Sequence, residues 1–392
     1  MKGSMGSGHL ENSLDQFPNS QAADLGLVTP TKQELETIDR LTFPEWGDAL
    51  TLPQYLEEAD LLTEWPLARD GGMRPWILTC RDQCPNRRPI LASCETFHKR
   101  AFVLSKEGVL SESFVYGIAS VFVRPDYRNR GYGTRLMQGL ARLLPEMQSE
   151  SSHAVGSVLF SDIGKQYYAR LGWKPSVGAS CHIQLDPWRD PVPYVATTRS
   201  VRIEGLASLC QEDERLARNT LAAMPPRVKR MMIAPDIDHM LWHINKESFA
   251  CLKLFGKEPE AKGAIVGESG NRVWVVWVRR YYTHPDRCPN ETTLYVLRLV
   301  LENQSPAQEE LDSQVQNLKA VLQACQAEAA RWGLQSVKLW HPTPLVQELL
   351  QRSKLEHRLM EREESGIASL QCFGDEMPED IDWCACEKYT WM

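Results

Sequence analysis

A short loop with two glycines and two arginines is the part of this chain best suited to chemistry. Residues 128–133 read Arg-Asn-Arg-Gly-Tyr-Gly, between an apolar segment and an amphipathic one. Glycine lets backbone N–H groups crowd together, and the first N–H groups of a following helix add unpaired donors. Such a surface binds a pyrophosphate, and the arginines place positive charge beside it. The residues predicted to bind are Arg128, Asn129, Arg130, Gly131, Tyr132, Gly133 and Thr134.

The segments on either side of the loop support this prediction. An apolar strand is expected over residues 113–123, and Thr134 is placed to cap the helix that follows. The apolar residues of that helix share one face and are Leu136, Leu140, Leu143, Leu144 and Met147. A dinucleotide fingerprint is excluded because residue 136 is not glycine, and no Gly-Lys-Ser/Thr of a nucleotide P-loop occurs. The remaining alternative is an ordinary strand-to-helix turn with surface arginines.

The composition is that of an ordinary globular protein. Of 392 residues, 43% are hydrophobic and 24% are charged, and the net charge is −7. A mildly acidic chain has no general attraction to nucleic acid or anionic membranes, and no apolar run reaches the roughly 18 residues of a membrane span. The 11 cysteines, an odd number, suit free thiols in a reducing compartment, so a cytoplasmic location is expected.

One pair of histidines has the spacing of metal ligands. His239 and His243 lie four residues apart on a predicted helix, with Glu247 one turn further on. A zinc peptidase carries glutamate directly after its first histidine, and Met240 stands there in this chain. We therefore expect a packed or substrate-facing pair, and no metal ion.

The predicted helices and strands follow the same order in both halves of the chain. This order indicates an α/β fold with two mixed-sheet domains in tandem. The second half is predicted to have a helix over residues 235–246 and a strand over 250–255. Where the first half has its glycine loop, residues 302–310 have no glycine and three carboxylates, so the second domain is interpreted as a degenerate copy. The expected division is a disordered tail or tag remnant at 1–20, one domain at 21–190 and another at 191–392.

Two motifs carry a resemblance to a known family. The glycine loop, with Val121, Val123 and Pro125 just upstream, resembles the acetyl-CoA loop of the GNAT acetyltransferase superfamily. Residues 161–173 resemble the superfamily's second motif, in which a tyrosine, here Tyr168, precedes a Gly-aromatic pair by four residues. Ser161 stands where many members carry asparagine, a departure that would alter one hydrogen bond to the pantetheine arm.

This resemblance implies an enzyme, a GNAT-type N-acyltransferase with two GNAT-like domains, that uses acetyl-CoA as co-substrate. It implies that main-chain donors around Phe122 and Val123 bind the oxyanion of the tetrahedral intermediate. It also implies that Ser161 contributes to cofactor binding. Tyr168 is the residue expected to give a proton to the departing thiolate.

A narrower resemblance concerns the acceptor. Residues 236–249, 262–265 and 387–391 are similar to segments of fungal lysine acetyltransferases, which act on the ε-amine of free L-lysine. A small-molecule amine acceptor and direct transfer in a ternary complex are therefore expected, in a monomer or homodimer that binds neither nucleic acid nor membrane. Two alternatives stay open: a peptide or protein N-acetyltransferase, and an acyl-CoA-binding protein without turnover.

The sequence does not identify the general base that an attacking amine needs. The candidates by position are Glu45, Glu95, His98, Glu112 and Asp162. Trp46, Trp65 and Trp76 could line the acceptor site, although core packing is the plainer interpretation of each. The second half of the chain is predicted to cover the acceptor side of the cleft.

Overall fold

The computed structural model describes residues 18–147, 154–188, 198–225, 227–287, 291–374 and 377–392. Within them the chain forms two mixed sheets with helices packed on them, an α/β arrangement. Most of the tail expected at residues 1–20 lies outside the described residues, as do residues 189–197 between the two predicted domains. In the described part, no helix has the length and apolar character needed to cross a membrane.

Helices and strands are interspersed along the described residues. The helices are α1 (Lys32–Trp46), α2 (Leu52–Leu62), α3 (Tyr132–Glu146), α4 (Ile203–Ala223), α5 (Ile237–Phe255), α6 (Gln308–Arg331) and α7 (Pro344–Ser353). The strands are β1 (Leu25–Val28), β2 (Met73–Cys80), β3 (Ala92–Leu104), β4 (Leu110–Phe122), β5 (Ala154–Ser161), β6 (Lys174–Pro175), β7 (Cys181–Leu185), β8 (Arg199–Val201), β9 (Lys229–Ile233), β10 (Gly263–Val266), β11 (Val273–Tyr281), β12 (Thr292–Leu301), β13 (Ser336–Trp340), β14 (Arg358–Glu361), β15 (Ile367–Cys372) and β16 (Ile381–Trp383).

The two sheets exchange strands between the halves of the chain. Among the described residues, the first sheet has the order β1-β2-β3-β4-β5-β15-β6, and β9 and β16 extend it beside β3. The second sheet has the order β14-β7-β13-β12-β11-β10-β8. The late strand β15 therefore lies between β5 and β6, and the early strand β7 pairs with β13 and β14. Each sheet needs segments from both halves.

Local signals explain the helices that border the candidate site. The α1 helix begins with a capping box, in which Glu34 N donates to Thr31 Oγ1 (3.2 Å) and Thr31 N donates to Glu34 Oε2 (2.8 Å). The predicted apolar face of α3 is confirmed, because Leu136, Leu140 and Leu144 are buried in the first sheet's core. The start of α1 is thus fixed by its capping box, and α3 is fixed on the sheet by packing.

One predicted element is wrong. The strand expected over residues 250–255 is the C-terminal part of α5, which runs to Phe255. A short segment with five apolar residues out of six fits a buried strand and a buried helix equally well. The helix is settled at its two ends: Asp236 caps it by accepting from His239 N (3.1 Å), and Gly256 ends it with φ 67°.

Candidate active site

The glycine loop lies between the end of β4 and the start of α3. A 3-10 turn, Pro125–Tyr127, leads into it, and Asn129 (φ 62°) and Gly131 (φ 84°) take left-handed conformations that turn the chain into the helix. The first helical hydrogen bond runs from Arg135 N to Gly131 O (2.9 Å). The N–H groups of residues 131–134 precede that bond, so they are the donors a helix N-terminus offers to an anion.

The cap of α3 differs from the prediction. Gly131, not Thr134, is the N-cap, and no side chain caps the helix. Thr134 instead lies 3.4 Å, oxygen to oxygen, from the Tyr167 hydroxyl. Because no side-chain oxygen occupies the N-terminal donors, they stay available to a ligand.

Close packing explains the second glycine of the loop. A Cβ atom on Gly133 would lie 3.1 Å from Tyr167 Oη and 3.4 Å from a methyl group of Val123. Any larger side chain would push these groups and the loop backbone apart. The loop is therefore shaped so that its main chain, and not a side chain, faces the space in front of it.

Arg128 braces the loop and also brings charge to it. Its Nε donates to Val123 O (3.1 Å), and its terminal nitrogen donates to Glu45 on α1 (2.8 Å). Both side chains of this ion pair are about half exposed, so the pair contributes at most about 1 kcal/mol. Arg128 thus orders the loop against α1 more than it supplies free positive charge.

A cleft of about 1940 Å³ opens in front of the loop. The glycine loop, the end of β4 and Tyr168 line one side of it, and α1, α2 and the last three residues line another. The predicted site residues that line it are Phe122, Val123, Arg128, Asn129, Gly131, Tyr132, Gly133, Thr134 and Tyr168. Two predicted residues, Arg130 and Ser161, are not among the described residues that line it; Ser161 Oγ donates to Gly164 O (2.8 Å) in its own loop.

The central strands part where the cleft begins. The parallel ladder between β4 and β5 ends at the Ile118–Leu159 pair, although β4 continues to Phe122. On the other edge, the register of β3 on β4 shifts between Ser93 and Glu95, and Ser120 has a φ of 54°. The main chain of residues 119–122 is therefore presented at the cleft.

Tyr168 lies beside this gap. It begins a 3-10 turn, Tyr168–Leu171, and is 8% exposed, with its ring edge-on to that of Tyr167 at 5.0 Å. Burial raises the pKa of the Tyr168 hydroxyl above its usual value near 10. The group therefore keeps its proton at neutral pH, as a proton donor must.

Comparison with known proteins assigns the family. Residues 35–173 match the model described as the acetyltransferase (GNAT) family, and residues 182–392, more than half of the chain, match the LYC1 GNAT-like C-terminal domain. This chain belongs to the GNAT acetyltransferases. It is an N-acetyltransferase with two GNAT-like domains in tandem, and proteins of this family generally use acetyl-CoA.

Individual relatives are distant. A protein named lysine acetyltransferase from Yarrowia lipolytica is 23% identical over 278 residues, which are 60% of this chain and 68% of that protein. A GCN5-related N-acetyltransferase from Kribbella flavida aligns at a TM-score of 0.51 and 16% identity, over 89% of this chain and 71% of that one. A probable N-acyltransferase from Enterococcus faecalis aligns at 0.51 and 11% identity, over 89% and 72%. At these identities the two structures support the fold alone.

The structure of the acetyltransferase separates the five candidate bases. His98 and Glu112 face away from the cleft: His98 stacks on Phe114 (4.1 Å between ring centres), and Glu112 pairs with Arg100 (3.3 Å). Glu45, Glu95 and Asp162 line the cleft. Of these three, Glu45 is ion-paired with Arg128 and Asp162 accepts a hydrogen bond from Gly366 N (2.9 Å).

Glu95 is the candidate best placed at the gap in the sheet. It pairs with Ala119 across the β3–β4 ladder, and it accepts a hydrogen bond from Ser120 Oγ (2.8 Å). Burial raises the pKa of this carboxyl, against the opposing effects of the Ser120 hydrogen bond and the charge of Lys246. A carboxylate with a raised pKa is a stronger base at neutral pH than an exposed one.

A second acid on the cleft wall was not predicted from the sequence. Burial, reinforced by the charges of Glu95, Asp60 and Glu36, raises the pKa of Asp39 on α1 to about 7. Asp39 and Glu95 are far apart in sequence, yet both line the cleft and the charge of Glu95 acts on Asp39. No local pattern marks Asp39, because a lone aspartate in an amphipathic helix is typical of a solvated face.

The last residues of the chain form another wall of the cleft. Thr390, Trp391 and Met392 line it, and Lys99 Nζ on β3 donates to Thr390 O (2.5 Å). Burial lowers the pKa of Lys99 to about 7. His243 Nε2 lies 3.3 Å from Tyr389 O, so this histidine helps to hold the same segment.

The remaining predicted side chains are structural or border the cleft. His239 Nδ1 lies 2.6 Å from Asp236 Oδ1, and among the described residues no three His, Cys, Asp or Glu side chains group as metal ligands would. Trp46 lines the cleft edge-on to Phe122 (5.9 Å), whereas Trp65 packs on Trp242 and Trp76 is buried with its Nε1 donating to Thr96.

Proposed function

We propose that this chain transfers the acetyl group of acetyl-CoA directly to a primary amine of a small molecule, with the ε-amine of free L-lysine as the first acceptor to test. The observation that carries the proposal is a cleft lined together by the main chain of the glycine loop, Tyr168, Glu95 and Asp39. The distant relative named lysine acetyltransferase supports the choice of acceptor. A cationic amine is also the acceptor that an acidic wall would attract.

The glycine loop supplies the cofactor-binding part of this function. The N–H groups of residues 131–134 are positioned to bind the pyrophosphate of coenzyme A, and the close contact behind Gly133 leaves their side of the loop unobstructed. The parted strands β4 and β5 leave room for the pantetheine arm beside Tyr168.

Glu95 acts as the general base in the proposed mechanism. An alkyl ammonium has a pKa of about 10.4, so holding it neutral at pH 7 costs about 4.6 kcal/mol unless the site assists. Glu95 removes the ammonium proton, directly or through water, and Asp39 stabilises the ammonium form as it binds. The neutral amine nitrogen then forms a bond to the thioester carbonyl carbon.

Two further groups complete the transfer. Main-chain N–H groups around Phe122 and Val123 stabilise the oxyanion that forms at the carbonyl oxygen. When the carbon–sulfur bond breaks, Tyr168 gives its proton to the thiolate sulfur, and the second proton lost by the attacking nitrogen restores the Tyr168 hydroxyl, directly or through water. The products are the acetylated amine and free coenzyme A.

The test is release of free coenzyme A thiol by the full-length chain, given acetyl-CoA and a panel of amines. Release with L-lysine and related small amines supports the proposal. Release only with lysine-containing peptides would make the chain a peptide or protein acetyltransferase. Tight binding of acetyl-CoA without release for any amine would show an acyl-CoA-binding protein without turnover and would refute the proposal.

A further inference from the structure

A pair of cations lines the cleft where it adjoins a smaller cavity. Lys246 on α5 and Arg280 on β11 line the main cleft, and both also line a smaller adjoining cavity. Trp46 and Trp391 stand beside them at this junction. We call these four residues the basic corner.

The basic corner lies close to the reacting centre proposed above. The charge of Lys246 is near enough to Glu95 to oppose the rise in that carboxyl's pKa. Trp46 belongs to the basic corner and also packs edge-on to Phe122, with 5.9 Å between the ring centres. An acceptor whose amine lies at Glu95 therefore has its other end at the basic corner.

Each cation of the corner has one carboxylate partner. Arg280 pairs with Asp48 (2.6 Å), and Lys246 pairs with Glu58 (3.1 Å). Burial raises the pKa of Asp48, although the charges of Arg280, Lys246 and Lys388 oppose that rise. Lys388 is itself buried, and burial lowers its pKa.

Arg280 keeps hydrogen-bonding capacity after this pairing. A guanidinium has five N–H donors in a planar fork. In the described part of the chain, the buried Nε of Arg280 has no hydrogen-bond partner. The Arg280 side chain as a whole is 21% exposed, and a carboxylate is the group that matches its planar fork.

We propose that Arg280, assisted by Lys246, binds the α-carboxylate of the acceptor, so that the enzyme selects a free amino acid over an amine that lacks a carboxylate. The cleft then matches both ends of such a molecule: Asp39 and Glu95 face the reacting ammonium, and the basic corner faces the carboxylate. This inference rests on the proposed function, and it names the residues that decide the acceptor class.

The test compares three acceptors with the full-length chain. L-lysine, L-lysinamide and 1,5-diaminopentane present the same terminal amine, and only the first has a carboxylate. We expect kcat/KM for L-lysine to exceed that for the other two by about 10- to 100-fold, the range for hydrogen bonds to a charged group. Equal values for the three acceptors would overturn the carboxylate site while leaving acetyl transfer intact.

Substitutions in the basic corner test whether Arg280 is responsible for the preference for lysine. Arg280→Gln should raise KM for L-lysine until its kcat/KM approaches that of lysinamide, with little change for lysinamide or acetyl-CoA. The matched control is Arg69→Gln, since Arg69 also lines the cleft but is 59% exposed on another wall. The control should keep the preference for lysine. If Arg280→Gln keeps it too, the assignment is wrong.

A double variant separates a loss of carboxylate binding from a loss of folding stability. Because Arg280→Gln leaves Asp48 buried without its partner, the double variant Asp48→Asn with Arg280→Gln removes both charges together. It should melt near the wild-type temperature and still lose the preference for lysine. Retained preference in this double variant would also refute the assignment. If no amine releases coenzyme A from the wild type, the proposed function fails and this inference fails with it.

Discussion

At the scale of single residues, the cleft brings together groups whose pKa values move in directions useful for acyl transfer. Burial raises the pKa of Tyr168, which keeps its proton, and raises that of Glu95, which becomes a stronger base. Both residues line the same cleft. This pairing of a proton donor and a proton acceptor leads to two predictions.

Replacing Glu95 by glutamine should lower kcat by about 10²- to 10⁴-fold, the usual contribution of a general base. In the wild type, kcat/KM should rise with pH through the raised pKa of Glu95, because only the ionised carboxylate accepts a proton. The Glu95→Gln variant should lack this rise of kcat/KM with pH. His98→Gln is the control, since His98 lies on the same strand and faces away from the cleft. A pH–rate profile of Glu95→Gln that matches the wild type would rule out this role.

Replacing Tyr168 by phenylalanine should lower kcat about 10- to 100-fold with little change in the affinity for acetyl-CoA. The ring and its packing on Tyr167 remain, so only the proton donor is lost. Steady-state kinetics with varied acetyl-CoA, together with direct binding of coenzyme A, separate the two effects. An unchanged kcat would show that the thiolate leaves without help from this hydroxyl.

At the scale of elements, the turn from β4 into α3 works through its backbone. Asn129 and Gly131 take left-handed conformations that turn the loop into the helix. No side chain caps α3, so its first N–H groups remain available to a ligand. At Gly133 a side chain would press on Tyr167 and Val123 without requiring a change of backbone conformation. The loop should therefore be sensitive to a single methyl group.

Gly133→Ala should raise the KM for acetyl-CoA about tenfold, equivalent to one weakened hydrogen bond. The new methyl would press on Tyr167 and Val123 and shift the N–H donors. Gly205→Ala is the matched control, because a Cβ there, on helix α4, meets nothing within 4 Å. That change should leave KM unaltered and slightly favour the helix. Equal KM values for the two variants would contradict a main-chain binding loop.

At the scale of the whole molecule, the two halves are interlocked. β15 from the second half fills the space between β5 and β6, and β7 from the first half joins the second sheet. The last residues of the chain return to β3, where Lys99 bonds to Thr390. Both the fold of the first sheet and the wall of the cleft depend on residues far along the chain.

A fragment ending at residue 190 should therefore lack a stable first sheet and show no acetyl transfer. It would expose the edge of β5 that β15 covers, and it would lose the cleft wall formed by residues 390–392. Circular dichroism and coenzyme A release are the measurements, and co-expression with residues 191–392 is the control. Full activity and selectivity in the fragment alone would disprove the view that the second half covers the acceptor side.

The buried lysine predicts a pH effect on the stability of the whole chain. Burial lowers the pKa of Lys99 to about 7, whereas an unfolded lysine titrates near about 10.4. Between these values the unfolded chain binds more protons, so the Lys99 contribution to folding becomes more favourable as pH rises. The melting temperature of the wild type, relative to Lys99→Met, should increase from pH 7 to pH 9. If the melting temperatures of the two proteins change equally between pH 7 and pH 9, the lowered pKa of Lys99 is contradicted.

The glycine loop could be predicted from the sequence, whereas the wall that carries Asp39 and Glu95 could not. β4, the loop and α3 are contiguous in the chain, so local rules about glycine and helix ends were enough to predict them. The acceptor wall is assembled from α1, β3, α5, β11 and the last residues, which are remote in sequence. Among five candidate bases, packing alone showed that Glu95 faces the cleft while His98, three residues on, faces away. The helical state of residues 250–255, by contrast, follows from local signals at the two ends of α5, Asp236 and Gly256, which the apolar run alone does not show.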